Sequence, residues 1–206
     1  MEILLQQLFT ILTNQTYLNP LPFNEGCDES QIVEAEQLWN LELPEDYKAF
    51  LRYRNGQSDF STLAFPPDQI FFLSLEEVVE LWEELNQYPD DQFFDQFDAD
   101  GKIRSVLQHP RRIPIAYNEA GGTYLFIDYI PGSNGREKQL VFNINEVDCV
   151  VIADNFYNLI QNYVHLLERG RMVVKEQPPE YGQGYWFVST QDEFIDWNVY
   201  ERLKEV

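Results

Sequence analysis

Basic residues are scarce in the first half of this 206-residue chain. Between Asn55 and Gly101 there is no Lys or Arg, against twelve Asp and Glu. Residues 1–101 hold 21 acids and three bases (Lys48, Arg52, Arg54), a net of 3 − 21 = −18; residues 102–206 hold 14 acids and 11 bases, a net of −3. A protein that neutralises phosphates needs a basic stripe. An overall charge of −21 therefore argues against direct nucleic-acid binding and against adhesion to anionic membranes.

Other shortages narrow the class further. Two cysteines, Cys27 and Cys149, make neither a zinc pattern nor a disulfide framework, and are expected to be reduced thiols. The N-terminus has Glu2 where a signal peptide would be basic, Gln6 and Gln7 interrupt its apolar run, and no small-residue cleavage site follows. No apolar stretch approaches the roughly 18 residues of a membrane span. A cytoplasmic protein is the expectation. What is abundant is apolar and aromatic, 44% and 15% of residues, too much for a solvated acidic tail.

Hydrophobic periodicity predicts a first amphipathic helix over 2–13, a second from Ser30 to about Trp39, and a third beginning at Leu43-Pro44 and stopped by Gly56. A short strand around 70–73 precedes Ser74-Leu-Glu-Glu77, a capping box that opens a fourth helix. From Ile113 the chain turns to strands: IPIAY, TYLFIDYI, KQLVFNI and VDCVVIA, separated by turn chemistry at Gly121-Gly122 and at 131–135. Asp154 or Asn155 caps a helix closed by Gly170. A short strand at 172–174, a loop over 176–186 and a last helix capped by Thr190 complete the reading. The fold class is α+β, a single domain over 1–206 with a mixed, mainly antiparallel central sheet flanked by helices.

Catalytic and metal motifs are weak. Asp98-Ala-Asp100-Gly101 copies part of a calcium loop but lacks its leading Asp and its bidentate Glu. His165 lies opposite the apolar stripe of its helix, and Cys149 sits mid-strand as a small hydrophobe. Paired carboxylates say little in a chain with 35 acids, so a carboxylate-based hydrolase ranks last. Neither a catalytic residue, a metal nor a cofactor is assigned. Asp128 is the oddly placed charge: it shares a strand face with Tyr124, Phe126 and Ile130, where it needs partners. It either accepts N–H groups from the following turn or contacts a ligand or partner.

The acidic-aromatic stretch has the best claim to function. Residues 55–101 carry nine aromatics among the twelve acids. Aromatic anchors in a field of one sign suit a face for a basic protein partner. The residues expected to bind are Asp90, Asp91, Phe93, Phe94, Asp95, Phe97, Asp98 and Asp100. The alternative is that the aromatics are core and the acids a solvated surface.

The order of segments resembles the SUKH superfamily of Smi/Knr-type proteins. Leu43-Pro44 with Tyr47, through Phe50-Leu51 to Gly56, is similar to its early motif. Ile113-Pro114-Ile115-Ala116, Gly121-Gly122, Tyr124-Leu125 and Ile127-Asp128 to Pro131-Gly132 resemble its central signature, and Ile152 through Phe156 into Leu159-Ile160, ending at Gly170, is similar to its closing helix. The likeness covers about 28–170. Arg112 stands where an aromatic usually precedes the Ile-Pro step. The resemblance implies an α+β fold without established catalytic residues. Without the long flanks of the fungal regulators, a bacterial-type member is expected. Its function would be a non-enzymatic protein-binding module, first of all an immunity protein that neutralises a toxin domain, and alternatively a regulatory scaffold in cell-wall synthesis or signalling.

Overall fold

The structure is a computed structural model that describes residues 1–87, 100–106, 108–118, 122–144, 148–181, 183–191 and 193–204. Three helices come first: α1 (Glu2–Thr16), α2 (Glu29–Trp39) and α3 (Glu45–Tyr53). The first runs one turn beyond its apolar stripe, the Thr16 hydroxyl donating to the Leu12 carbonyl (2.8 Å) before Tyr17 turns left-handed (φ 59°). Pro44 stands at the N-cap of α3, one residue outside the helix that it was predicted to begin.

Two short strands, β1 (Leu63–Ala64) and β2 (Phe71–Phe72), precede α4 (Leu75–Asn86). The capping box that the sequence predicts is present. Glu77 N–H donates to Ser74 Oγ (3.3 Å), and Ser74 N–H donates to Glu77 Oε2 (2.7 Å). Gly56, predicted as a helix stop, has a second role. It adopts φ 67° three residues past α3, and a Cβ there would overlap the backbone of Leu73 and Ser74. The backbones meet so closely that only glycine fits.

The central sheet is antiparallel in the order β2-β3-β4-β5-β6, with β3 Arg112–Asn118, β4 Thr123–Asp128, β5 Gln139–Ile144 and β6 Asp148–Ala153. One face, with Ile113, Leu125, Ile127, Leu140, Phe142 and Ile152, shares the main core with α1, α3 and α5 (Phe156–Glu168). Tyr47, Phe50, Phe72 and Phe156 form its aromatic centre, with ring centroids 5.1 to 6.2 Å apart. Asn155 caps α5, its side-chain oxygen accepting Asn158 N–H at 2.8 Å.

A second sheet departs from the sequence reading. The loop placed over 176–186 ends in a strand, β8 (Tyr185–Ser189), which pairs antiparallel with β7 (Met172–Glu176) and parallel with β1. The parallel pair thus lies in this sheet, outside the central one. Thr190 does not cap the last helix: α6 spans Trp197–Lys204, and Asp196 Oδ1 accepts Val199 N–H (2.8 Å). The Ser189 hydroxyl accepts Glu193 N–H (3.1 Å) and closes a turn after β8 instead. Gln15 in α1 accepts the N–H of Val174 in β7 (2.8 Å), so the first helix lies along the edge of this sheet. Among the described residues no helix is long and apolar enough to cross a membrane.

Candidate functional site

The other face of the central sheet carries polar groups. Cross-strand register places Arg112 beside Asp128, and Asp128 beside Gln139. Asp128 is fully buried; its Oδ1 accepts from Arg112 Nε (3.2 Å) and from Ile130 N–H (3.1 Å), and its Oδ2 from Gln139 Nε2 (3.0 Å). Arg112 also donates to the carbonyls of Val106 and Arg104. The oddly placed acid and the residue that departs from the superfamily pattern therefore satisfy each other. Asp128 is satisfied inside the fold, as its structural reading required, but by Arg112, Gln139 and the Ile130 amide and not by N–H groups of the 131–135 turn.

The turn at 131–135 joins β4 to β5 and also receives residues 100–103. Gly132 N–H donates to Lys102 O (2.8 Å) and Asn134 N–H to Gly101 O (2.9 Å); a Cβ on Gly132 would overlap the Gly101 carbonyl. Asp100 is exposed, with Lys102 Nζ 3.7 Å from its carboxylate. A cation already neutralises this side of the calcium-like motif. Among the described residues no cluster of three or more His, Cys, Asp or Glu could hold a metal ion.

Cys27 and Cys149 are free and buried; burial pushes the Cys27 thiol up to about 11 and raises Cys149 as well. Burial, reinforced by Arg104, Arg112 and Arg111, lowers the pKa of His109, whose Nδ1 accepts Arg111 N–H (3.0 Å). His165 is exposed, as its helical position predicts.

The acids divide into two populations. Around α2 and α3, Glu29, Glu36, Glu42 and Glu45 are neutralised within the chain: Lys48 lies 3.3 to 3.8 Å from Glu36, Glu42 and Glu45, and Arg52 holds Glu29 (2.7 Å) and Glu45 (2.5 Å). Glu34 and Asp46 on the same helices have no base within 4 Å among the described residues. Hydrogen bonds from Arg52 hold both the Glu29 and Glu45 carboxyls below their ordinary pKa. On α4, Glu80, Glu83 and Glu84 are exposed, and among the described residues no base lies within 4 Å of them.

Glu80 and Glu84 line a groove of about 440 Å³ whose far wall is aromatic, with Phe60, Tyr117 and Tyr124. These rings continue a row: Phe71–Phe60 5.8 Å, Phe60–Tyr117 6.0 Å, Tyr117–Tyr124 6.5 Å and Tyr124–Phe126 5.7 Å between centroids. Five aromatics of the 55–101 stretch are described, and they split. Phe65 and Phe72 are core, Phe71 and Trp82 are half-buried, and Phe60 is 36% exposed.

Of the residues expected to bind a partner, Asp90, Asp91, Phe93, Phe94, Asp95, Phe97 and Asp98 lie outside the described residues, as does Gly121. Tyr117 and Tyr124 were not among them, because they belong to strands far along the chain. The Glu77, Glu80, Glu84 spacing was the available signal, since residues three and four apart share one face of a helix. The motif residues Leu43 and Tyr47 are core, Pro114 sits at a register shift in β3, Pro131 is half-buried, and Gly122 takes φ 57° at the start of β4.

Residues 26–162 match the SMI1 / KNR4 family (SUKH-1). A KNR4/SMI1 homolog of Eremothecium gossypii is 30% identical over 83 residues, 40% of this chain and 12% of that protein. The cell wall assembly regulator SMI1 of Saccharomyces cerevisiae is 20% identical over 198 residues, 78% of this chain and 39% of that protein. The chain thus spans well under half the length of either relative, and both are fungal. The match begins and ends close to the 28–170 that the motifs outlined, and its sheet carries the Ile-Pro, Tyr-Leu and Ile-Asp steps in that order. The chain belongs to the SMI1 / KNR4 family (SUKH-1).

Proposed function

We propose that this chain is a protein-binding module that engages a basic partner through the acidic wall of α4 and the aromatic row beside it. One observation carries this reading: Glu80, Glu83 and Glu84 cluster on α4 with no base beside them among the described residues, while Glu29, Glu36, Glu42 and Glu45 spend their charge on Lys48 and Arg52. Unneutralised carboxylates speed the encounter with a cationic surface, and neighbouring rings supply the desolvated anchor. On sequence grounds, Asp90, Asp91, Asp95, Asp98 and Asp100, with Phe93, Phe94 and Phe97, belong to the same binding set.

The regulatory form of this function comes first, because a relative aligned over 78% of the chain is named a cell wall assembly regulator. In that form the partner is a signalling or cell-wall protein. The immunity form, in which the partner is a toxin domain such as a basic nuclease, uses the same face. A gene for a toxin beside this one would favour immunity, and one for a kinase or cell-wall enzyme would favour regulation.

The test is an affinity capture at low salt, run in parallel with Glu80→Lys/Glu83→Lys/Glu84→Lys. The function predicts a partner whose retention falls with salt and with the triple reversal. A specific partner whose affinity ignores both would overturn it.

A further inference from the structure

A cleft of about 880 Å³ opens between α1 and the loop at 19–25, on the floor made by the end of α3. Although it lies in the strongly acidic half of the chain, its lining holds one carboxylate, Glu25, and one cation, Arg54. The other polar groups are neutral amides and hydroxyls, chiefly Gln6, Thr13, Asn14 and Asn19. Its floor is aromatic: Phe9 lies 4.7 Å from Phe23 and 5.4 Å from Tyr53 between centroids. The Arg54 guanidinium lies over Tyr53 (4.9 Å) and Phe9 (5.6 Å) and donates from Nη1 to Tyr53 O (2.7 Å). Among the described residues it has no carboxylate within 4 Å, unlike Lys48 and Arg52.

We propose that this cleft binds a neutral saccharide chain. A sugar hydroxyl is donor and acceptor at once, and so are a carboxamide and a threonine hydroxyl, which allows such a lining to meet successive hydroxyls in either sense. The partly exposed rings of Phe23 and Tyr53 offer π faces on which the C–H groups of a pyranose pack. Arg54 is held in place by stacking and by its carbonyl bond, so its remaining N–H groups meet sugar oxygens at little cost in side-chain entropy. Charged ligands fit poorly. A cation finds only Glu25, and an anion must approach through the field of the acidic half. A peptide adding to a sheet needs an open strand edge. Here the walls are a helix and a loop, and the loop's own bridge at Phe23 is already paired with Gln57. Most of the lining precedes residue 26, where the family match starts, so most of the cleft lies outside the matched residues.

The proposal is independent of the acidic face and is tested separately, by titrating the ¹⁵N-labelled full chain with maltohexaose, cellohexaose, chitohexaose and a capped Gly-Ser hexapeptide. Saturable shifts at Asn14, Asn19, Tyr53 and Arg54 with one of the sugars are expected. Affinity for a neutral ligand should stay constant between about 50 and 500 mM salt. Asn14→Ala/Asn19→Ala should weaken binding about tenfold or more, with the unfolding midpoint unchanged. Arg54→Lys, which loses the planar fork, should also weaken it. No shift with any of the sugars at about 10 mM, tighter binding of the peptide than of every sugar, or shifts confined to other surfaces would overturn the proposal.

Discussion

Arg112 donates its Nε–H to Oδ1 of Asp128 at 3.2 Å across the paired strands β3 and β4, both side chains almost completely buried. A buried pair of this kind is a weak source of net stability, but breaking it leaves an uncompensated charge in the interior. Arg112→Met should therefore cost about 3–5 kcal/mol in urea unfolding. Arg112→Met/Asp128→Asn should be closer to the natural protein than Arg112→Met alone. If the two losses simply add, the pair is not coupled.

Charge reversal should separate the two populations of acids. Lysines at Glu80, Glu83 and Glu84 are expected to leave the thermal midpoint unchanged and to slow association with a cationic partner in stopped-flow mixing. Lysines at Glu29 and Glu45 should lower the midpoint instead, because they remove both partners of Arg52. The reverse pattern would move the binding face from α4 to α2 and α3.

Asp68 gives the stability a specific pH dependence. Burial, then the nearby Asp196, raises its carboxyl to about 6. A group whose folded pKa lies above its unfolded value contributes stability that is complete below the unfolded pKa and is lost as pH rises through the folded one. That contribution is thus present near pH 4 and gone by pH 7. Asp68→Asn, which keeps a residue tolerant of the φ of 56° found there, should be more stable than the natural chain at pH 7 by on the order of 1–2 kcal/mol. The difference should shrink toward pH 4. A constant difference between the two pH values would remove Asp68 as its source.

Gly132 and the Gly101 carbonyl occupy space that admits no side chain. Gly132→Ala should cost about 1–3 kcal/mol. Hydrogen exchange should speed at Gly132 and Asn134, whose N–H groups hold Lys102 O and Gly101 O. Unchanged protection at both amides would show that residues 100–103 dock by other means.

Deleting residues 171–206 should abolish cooperative unfolding. The tail supplies Phe187 and Tyr200 against Phe65 and Tyr163, with centroids 5.1 to 6.4 Å apart, and leaves β1 unpaired when removed. A truncated chain with a sharp calorimetric transition would show that 1–170 folds alone, against the proposal of one domain over 1–206.

Local features were legible in the sequence. The Ser74–Glu77 box, the Asn155 cap and the strands of the central sheet depend on neighbours in the chain, and each stands close to its predicted place. The second sheet was not legible, since β8 follows a Pro- and Gly-rich loop and its partner β1 lies more than a hundred residues earlier. A capping pattern at Thr190 misled because spacing alone cannot tell a helix start from the turn that Ser189 closes. Asp128 was recognised as needing partners. Arg112 as its partner depends on strand register, which the pattern of apolar residues does not fix for a single pair. The charge imbalance was plain from composition. Its division between neutralised and open acids required knowing where Lys48 and Arg52 reach.

The bond from Val174 to Gln15 has a consequence for the solubility of the chain. β7 is an edge strand, and an uncovered edge is a template for pairing with another molecule. α1 covers that edge and occupies one of its N–H groups, so the first helix acts as a guard against self-association. Any shortened form that starts at the family core would carry β7 without its cover, and would be a chain prone to stack on its own copies.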